Sequence, residues 1–257
     1  MLLALPFGLV IGLIVGTVGG GGAILALPVL VYVLDQPVTP ASTASLIVVA
    51  LAAAVGAGSL ARDGQVCWRL ALVFAAPAAV SSLPAALANE AVSGVVLILA
   101  FVPIMLVAAG ATWQRAGAGG AKEERACPPF SPGRVVVAGA AVGVLTGFFG
   151  VGGGFVIVPV LTLWLAVSFR HAVATSLVII ALTGAAALGS HLVVGGASLD
   201  VAVTATLAGA TAVGAYLGTL VGGRLPQPML ARGFALLTAG VAVLLLVDTL
   251  ALGGPPG

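Results

Sequence analysis

Long apolar stretches follow one another along almost the whole chain, separated by short polar or glycine-rich breaks. Apolar stretches of about 18 residues or more are typical of helices that cross a membrane. The pattern predicts five helices in each half of the chain: 2–18, 23–34, 41–61, 70–87 and 91–113, then 134–149, 154–167, 171–193, 200–222 and 229–250. We therefore expect an all-α polytopic membrane protein.

Composition supports a membrane location. The chain is 61% hydrophobic and only 6% charged, whereas about 25% of the residues of a soluble domain are charged. Too few charges remain to cover a water-soluble surface. The net charge of +2 comes without a basic cluster, so we expect the lipid bilayer as partner and no nucleic acid.

A glycine-rich pattern occurs twice, with matching positions 131 residues apart. The first copy contains Gly19-Gly20-Gly21-Gly22 and ends at Pro28-Val29-Leu30. The second contains Gly150-Val151-Gly152-Gly153-Gly154 and ends at Pro159-Val160-Leu161. A duplicated break in apolar helix is typical of the binding site of transporters built from two related halves.

The repeat and one polar stretch predict the domain organisation. Residues 1–113 form a first membrane repeat, and residues 133–257 form a second. Residues 114–132 between them contain five charged residues and three prolines, which is typical of a linker.

The length of the first segment raises a choice of topology. Residues 2–34 as one straight helix would be about 50 Å long, whereas the hydrocarbon core is about 30 Å thick. The segment therefore either crosses once with a kink or folds back as a helical hairpin.

The positions of lysine and arginine favour the hairpin, because cytoplasmic loops carry the excess of these residues. Single crossings place six of the nine on one side, whereas hairpins place all nine there. A hairpin plus three transmembrane helices gives an odd number of crossings. We therefore expect two inverted repeats, a cytoplasmic linker and both termini outside.

The two cysteines, Cys67 and Cys127, form neither a metal-binding spacing nor a disulfide framework. Both fall in loops of the predicted cytoplasmic side, which suits a reducing compartment. The sequence predicts no metal site, no cofactor and no catalytic constellation.

The two glycine-rich turns, which we call the tips, predict an anion site. Irregular backbone at membrane depth survives only where it is buried or lines a cavity. A helix begins just after each tip, at about Ala23 and Phe155, and its first amide groups lack partners within the helix. Two such partly positive ends converging from the two halves would hold an anion without a charged side chain.

The candidate substrate-binding residues are the tip glycines and nearby polar side chains: Gly19, Gly20, Gly21, Gly22, Gly150, Gly152, Gly153, Gly154, Thr17, Thr43, Ser45, Thr175, Ser176 and His191. The alternative for the four hydroxyls after the tips is N-capping or helix–helix hydrogen bonding. His191 could relay a proton, or it could be a neutral packed side chain. The glycines at four-residue spacing before each tip favour close helix packing instead: Gly8, Gly12, Gly16, Gly139, Gly143 and Gly147.

The chain resembles the sulfite exporter family of the TauE/SafE type, a group of small bacterial permeases. The segments that carry the resemblance are Gly16–Gly22 with Pro28-Val29-Leu30, Gly147–Gly154 with Pro159-Val160-Leu161, Ala174–Leu177 and Gly222–Leu225. The resemblance implies export or uptake of sulfite or small organosulfonates across the bacterial inner membrane. Pro40 stands opposite His171, and Ala23 opposite Gly154, so the site could be asymmetric.

Together these observations predict a secondary transporter of a small sulfur-containing anion that works by alternating access. One alternative is a channel-like pore for small anions or neutral solutes. Another is a membrane enzyme or a helper subunit without transport. The anion itself, the direction, the coupling ion and a homodimer are left open.

Overall fold

The structure is a computed structural model that describes residues 4–20, 23–34, 36, 38–89, 94–117, 127, 129, 131–149, 154–194 and 200–251. The helices of the first half are α1 (Ala4–Val18), α2 (Ala23–Pro28), α3 (Val38–Arg62), α4 (Trp68–Asn89) and α5 (Gly94–Gly117). Those of the second half are α6 (Pro132–Phe149), α7 (Gly154–Pro159), α8 (Phe169–Val194), α9 (Val201–Arg224) and α10 (Gln227–Ala251).

Seven of the described helices are long and apolar enough to cross a membrane: α3, α4, α5, α6, α8, α9 and α10. The predicted all-α polytopic class is therefore confirmed. Large aliphatic side chains point outward along these helices, including Val80 on α4 and Val107 on α5, which are 71% and 72% exposed. Such exposure suits a lipid environment, because contiguous apolar surface is unfavourable in water.

The first glycine-rich segment folds back on itself. α1 ends where Gly19 adopts a φ of +81°, a left-handed conformation that glycine adopts without steric cost. Ala4 at the start of α1 and Leu30 beyond α2 belong to one buried cluster, together with Ala41 and Leu207. The segment is therefore a hairpin and not one straight rod.

The local structure after the two tips repeats at the same spacing as the sequence. α2 and α7 each continue into a π-helical turn, Val29–Val33 and Val160–Trp164. The Leu34 N–H donates to the Val29 carbonyl at 3.1 Å, and the Leu165 N–H donates to the Val160 carbonyl at 3.2 Å. Proline provides no N–H for the preceding helical turn, and π-turns inside helices often mark functional sites.

The glycine face of α1 packs against α9. A Cβ added at Gly12 would collide with the backbone carbonyl of Thr211, and one added at Gly16 would collide with that of Ala215. The residue numbers of the contacting pairs increase together along the two helices, so α1 and α9 run parallel. The predicted close-packing role of these glycines is confirmed.

The glycine face of α6 packs against α4 in the same way. Added Cβ atoms at Gly139, Gly143 and Gly147 would collide with the carbonyls of residues 74, 78 and 82 respectively. Each half therefore packs its first helix against a helix of the other half. Small residues allow this close approach, and dispersion between backbones then stabilises the pair in lipid.

The α3 and α8 helices run antiparallel. Gly184 near the end of α8 lies beside Ala50 in the middle of α3, and Gly56 further along α3 lies beside Leu177 in the first turns of α8. Single crossings of both glycine segments would make α3 and α8 parallel. The observed direction fits a second glycine segment that folds back, since only α4, α5 and that segment lie between α3 and α8.

Contacts between the two halves show which helix ends share one end of the bundle. The Cys67 N–H donates to the Thr175 hydroxyl at 3.2 Å, which brings the starts of α4 and α8 together. The Arg232 guanidinium lies 5.7 Å from the centroid of the Trp113 ring, which brings the start of α10 to the end of α5. All described arginines lie at this end, which we call the arginine-rich end: Arg62, Arg69, Arg115, Arg134, Arg170, Arg224 and Arg232.

The two cysteines form a disulfide. Cys67 and Cys127 are bonded, with a Cα–Cα distance of 5.9 Å. The prediction that they form no disulfide framework is therefore wrong. The error arises because 60 residues separate the two in sequence, and only the packing of the bundle brings residue 127 to the start of α4.

Candidate functional site

The structure brings the two tips into direct contact. A Cβ added at Gly20 would collide with backbone atoms of Gly154, and one added at Gly154 would come within 2.7 Å of the Gly20 Cα and carbonyl oxygen. Only glycine allows two backbones to approach this closely. The start of α7 therefore lies against the chain just after the end of α1.

Ser176 lies beside the first tip. A Cβ added at Gly19 would come within 2.9 Å of the Ser176 hydroxyl oxygen and 3.4 Å of Val173. Ser176 is fully buried, and its hydroxyl donates to the Val173 carbonyl at 2.8 Å. A serine hydroxyl has a single proton. To donate to an anion, the Ser176 hydroxyl would have to rotate away from that carbonyl.

Thr175, the residue before Ser176, is also fully buried. It accepts a hydrogen bond from the Cys67 backbone N–H at the start of α4. A hydroxyl that accepts a hydrogen bond keeps its own proton for donation. This interhelical contact is not N-capping, because Thr175 lies six residues inside α8.

Removing the Thr175 hydroxyl is expected to destabilise the fold. Thr175→Val leaves the buried Cys67 N–H without its acceptor, which costs about 1–3 kcal/mol. Thr183→Val on the same helix is the control, because the Thr183 hydroxyl donates only to carbonyls of its own helix. Thermal unfolding of both variants in detergent should show a lower midpoint for Thr175→Val. Equal midpoints would contradict a stabilising role for the contact.

The first-half hydroxyls have different surroundings. Thr43 is 3% exposed, and the Ser45 hydroxyl donates to the Ser42 carbonyl of its own helix at 2.7 Å. Thr17 lies in the interface between α1 and α9, where its backbone packs against Gly218. Its hydroxyl donates to the Leu13 carbonyl at 2.8 Å.

His191 does not share the site of Ser176. Both residues lie on α8, and their separation of 15 positions corresponds to about 22 Å of helix. The side chain of His191 lies outside the described part of the structure. A single small anion at the tips could not contact both residues.

Five predicted site residues lie outside the described residues: Gly21, Gly22, Gly150, Gly152 and Gly153. The tip residues that are described, Gly19, Gly20 and Gly154, carry the geometry given above.

Aromatic side chains surround the second tip. The Phe155 ring lies 5.0 Å from Phe101 on α5, and Phe101 lies 5.0 Å from Phe149 at the end of α6. These rings line a small apolar cleft, in which Thr146 supplies the polar side chain. The Thr146 hydroxyl already donates to the Gly143 carbonyl. Of the two surroundings, the hydroxyl-bearing side near Ser176 suits an anion better.

Sequence reasoning missed the roles of two arginines. Arg170 at the start of α8 donates to the carbonyls of Gly223 and Leu225 at 2.9 and 3.0 Å. Arg115 donates to the Leu163 carbonyl beyond α7 at 3.4 Å. Both therefore satisfy carbonyls at helix ends. The position of each arginine at a helix end is readable from the sequence, but the acceptor is not.

Known proteins resemble this chain over nearly its whole length. A family model described as "Sulfite exporter TauE/SafE" matches residues 4–245. A "Probable membrane transporter protein" of Xylella fastidiosa (strain Temecula1 / ATCC 700964) is 29% identical over 251 residues, covering 95% of this chain and 94% of the relative. No solved structure gives a significant match.

A second relative comes from Bacillus subtilis. The "Probable membrane transporter protein YdhB" of Bacillus subtilis (strain 168) is 28% identical over 247 residues, covering 92% of this chain and 96% of the relative. The similarity therefore extends over both halves of the chain, and both relatives are named as membrane transporters.

Proposed function

Because the chain belongs to the sulfite exporter TauE/SafE family, we propose that it is a secondary transporter that moves a small sulfur-containing anion across the bacterial inner membrane. The anion is sulfite or a small organosulfonate. The contact between Gly20 and Gly154 carries this proposal, because it places the ends of both hairpins at one point inside the bundle.

The site binds the anion through amides and hydroxyls. Helix N-termini favour negative charge, and the amides after the tips have no partners within their own helices. Ser176 adds a buried hydroxyl beside Gly19 of the first tip, and the neighbouring Thr175 adds a second buried hydroxyl on the same helix. Sulfite and sulfonate groups present oxygen acceptors that match such donors. A site without a lysine or arginine releases its anion more readily and avoids the cost of a charge at membrane depth.

The arrangement of the halves supports alternating access as the proposed mechanism. Each half packs its first helix on the other half, and two inverted repeats can exchange their conformations around a central site. In this structure the tips are in contact. Opening toward either side would separate the backbone of Gly20 from that of Gly154. Export of an anion could use the membrane potential alone, about 2.3 kcal/mol per charge at 100 mV.

The purified protein in proteoliposomes tests this function. Sulfite, thiosulfate, sulfoacetate, taurine and simple carboxylates are offered singly, and uptake is followed with and without an internal anion. A carrier gives saturable uptake that internal substrate accelerates by counterflow. Uptake that rises linearly with concentration would favour the channel-like pore, and no flux from the protein alone would favour a helper subunit.

The proposed topology places the arginine-rich end in the cytoplasm and both termini outside. Single cysteines at Ser131 and Met229, in a Cys67→Ser/Cys127→Ser background, report on the starts of α6 and α10. Both are expected to resist an impermeant thiol reagent in intact cells, whereas Val201→Cys at the opposite end is labelled. Single crossings would instead put residues 131 and 229 on opposite sides, so labelling of only one of them would contradict the hairpins.

A further inference from the structure

The Cys67–Cys127 disulfide lies at the arginine-rich end, which the proposed topology places in the cytoplasm. We propose that this bond is a reversible modification site that a soluble sulfur nucleophile opens by attack on the Cys127 sulfur. Cytosolic disulfides are usually transient and redox-sensing. The inference about redox state in cells therefore rests on the proposed orientation, whereas the chemistry of opening does not.

The two cysteines of the disulfide differ in their exposure to solvent. Cys127 is exposed, whereas Cys67 is 6% exposed. Cys67 directly precedes α4, and its carbonyl accepts the Ala71 N–H at 2.9 Å as the first bond of that helix. A nucleophile from solution therefore reaches Cys127 first.

The position of Cys67 makes it the better leaving group. A thiolate at a helix N-terminus is stabilised by the free amide groups, and neighbouring arginine adds to this effect. Arg69 lies in the first turn of α4. Thiol–disulfide exchange is faster when the leaving thiolate is more stable. Access and leaving-group stability thus both direct attack to Cys127.

The step balances without a further oxidant or reductant. A thiolate of the glutathione type forms a new S–S bond with Cys127, the Cys67–Cys127 bond breaks, and the electron pair leaves on the Cys67 sulfur. A second soluble thiolate then attacks the mixed disulfide and releases the Cys127 thiolate and a soluble disulfide. Sulfite reacts by the same first step, and it leaves an S-sulfonate on Cys127 and a thiolate on Cys67.

A single hydrogen bond connects Cys67 of the disulfide to α8, the helix that carries Ser176 of the candidate site. The Cys67 N–H donates to the Thr175 hydroxyl, and the next residue, Ser176, lies beside Gly19. Opening the disulfide releases residue 127 from the start of α4 and loosens the support of the Thr175 hydroxyl. An effect on transport rests on the proposed function.

Site-resolved mass spectrometry tests the chemistry. The oxidised full-length protein is exposed briefly to glutathione or, separately, to sulfite, then quenched with acid and treated with N-ethylmaleimide. We expect the glutathione or sulfonate adduct on Cys127 and the maleimide on Cys67, in roughly tenfold excess over the reverse pattern. Equal adducts on both cysteines, or the reverse pattern, would overturn the proposal.

Trapping in growing cells tests reversibility. Thiols are blocked with N-ethylmaleimide before lysis, with and without prior treatment with the thiol oxidant diamide. The reduced fraction is expected to fall after diamide, whereas Cys127→Ser keeps Cys67 labelled in both conditions. A bond that stays fully oxidised, or one that never forms, overturns the proposal. Neither measurement uses transport, so a failed transport assay leaves both results interpretable.

Discussion

Gly20→Ala is expected to abolish most anion transport while the protein still inserts into the membrane. The new Cβ would overlap the Gly154 backbone, which cannot rotate away as a side chain can. Overpacking of this kind costs about 1–3 kcal/mol, which corresponds to roughly a fivefold to 150-fold loss of affinity if the tips form the site. Proteoliposome uptake, normalised to folded protein by size-exclusion chromatography, measures the effect.

Two further glycine-to-alanine variants show whether the effect is specific to the tip contact. Gly58 on α3 has no atom within 4 Å of an added Cβ, so Gly58→Ala is expected to transport normally. Gly154→Ala should be milder than Gly20→Ala, because its added Cβ would come no closer than 2.7 Å to its neighbours. Normal transport by a well-folded Gly20→Ala protein would show that the tip contact is not part of the site.

Gly214→Ala is expected to destabilise the whole bundle. An added Cβ at Gly214 would collide with the Leu9 carbonyl of α1 and approach the Gly12 Cα to 3.1 Å. Because small residues hold these helices together in lipid, separating them removes the contacts along the entire α1–α9 interface. The midpoint of thermal unfolding, followed by tryptophan fluorescence in detergent, reports this loss.

Gly209→Ala on the same helix is the control. Nothing lies within 4 Å of its added Cβ, and alanine is favoured over glycine in a helix by about 1 kcal/mol. Both variants gain this helix propensity, so they should differ by the overpacking cost of about 1–3 kcal/mol in stability, with Gly209→Ala at or above the wild-type midpoint. Equal midpoints would mean that the close α1–α9 packing does not limit stability.

The sequence alone identified the repeat and its packing faces. The spacing of 131 residues located both tips, and the structure places the same hydrogen bonds at Leu34 and Leu165. The four-residue spacing of glycines predicted close helix packing. The same spacing does not show that Gly12 faces α9 and Gly143 faces α4. A row of glycines indicates that some helix packs closely against it, but it does not identify that helix.

The candidate site was predicted less completely than the fold. Thr17 and Ser176 are equally plausible ligands from their distance to the tips in sequence, yet Thr17 packs against α9 and Ser176 lies at Gly19. His191 shares their polar chemistry, although about 22 Å of α8 separates it from Ser176. The direction in which a side chain points depends on helix phase and on the partner helix, neither of which a single apolar sequence fixes.

Sequence by itself determined the membrane location, the duplicated plan and the breaks in the helices, because these follow from transfer energies and backbone freedom within a few residues. Tertiary structure alone decided the contact of Gly20 with Gly154, the Cys67–Cys127 bond and the hydrogen bond from Cys67 to Thr175. Those contacts join residues 60 to 134 positions apart. They arise from how whole helices pack, and local apolar pattern carries no information about which helices meet.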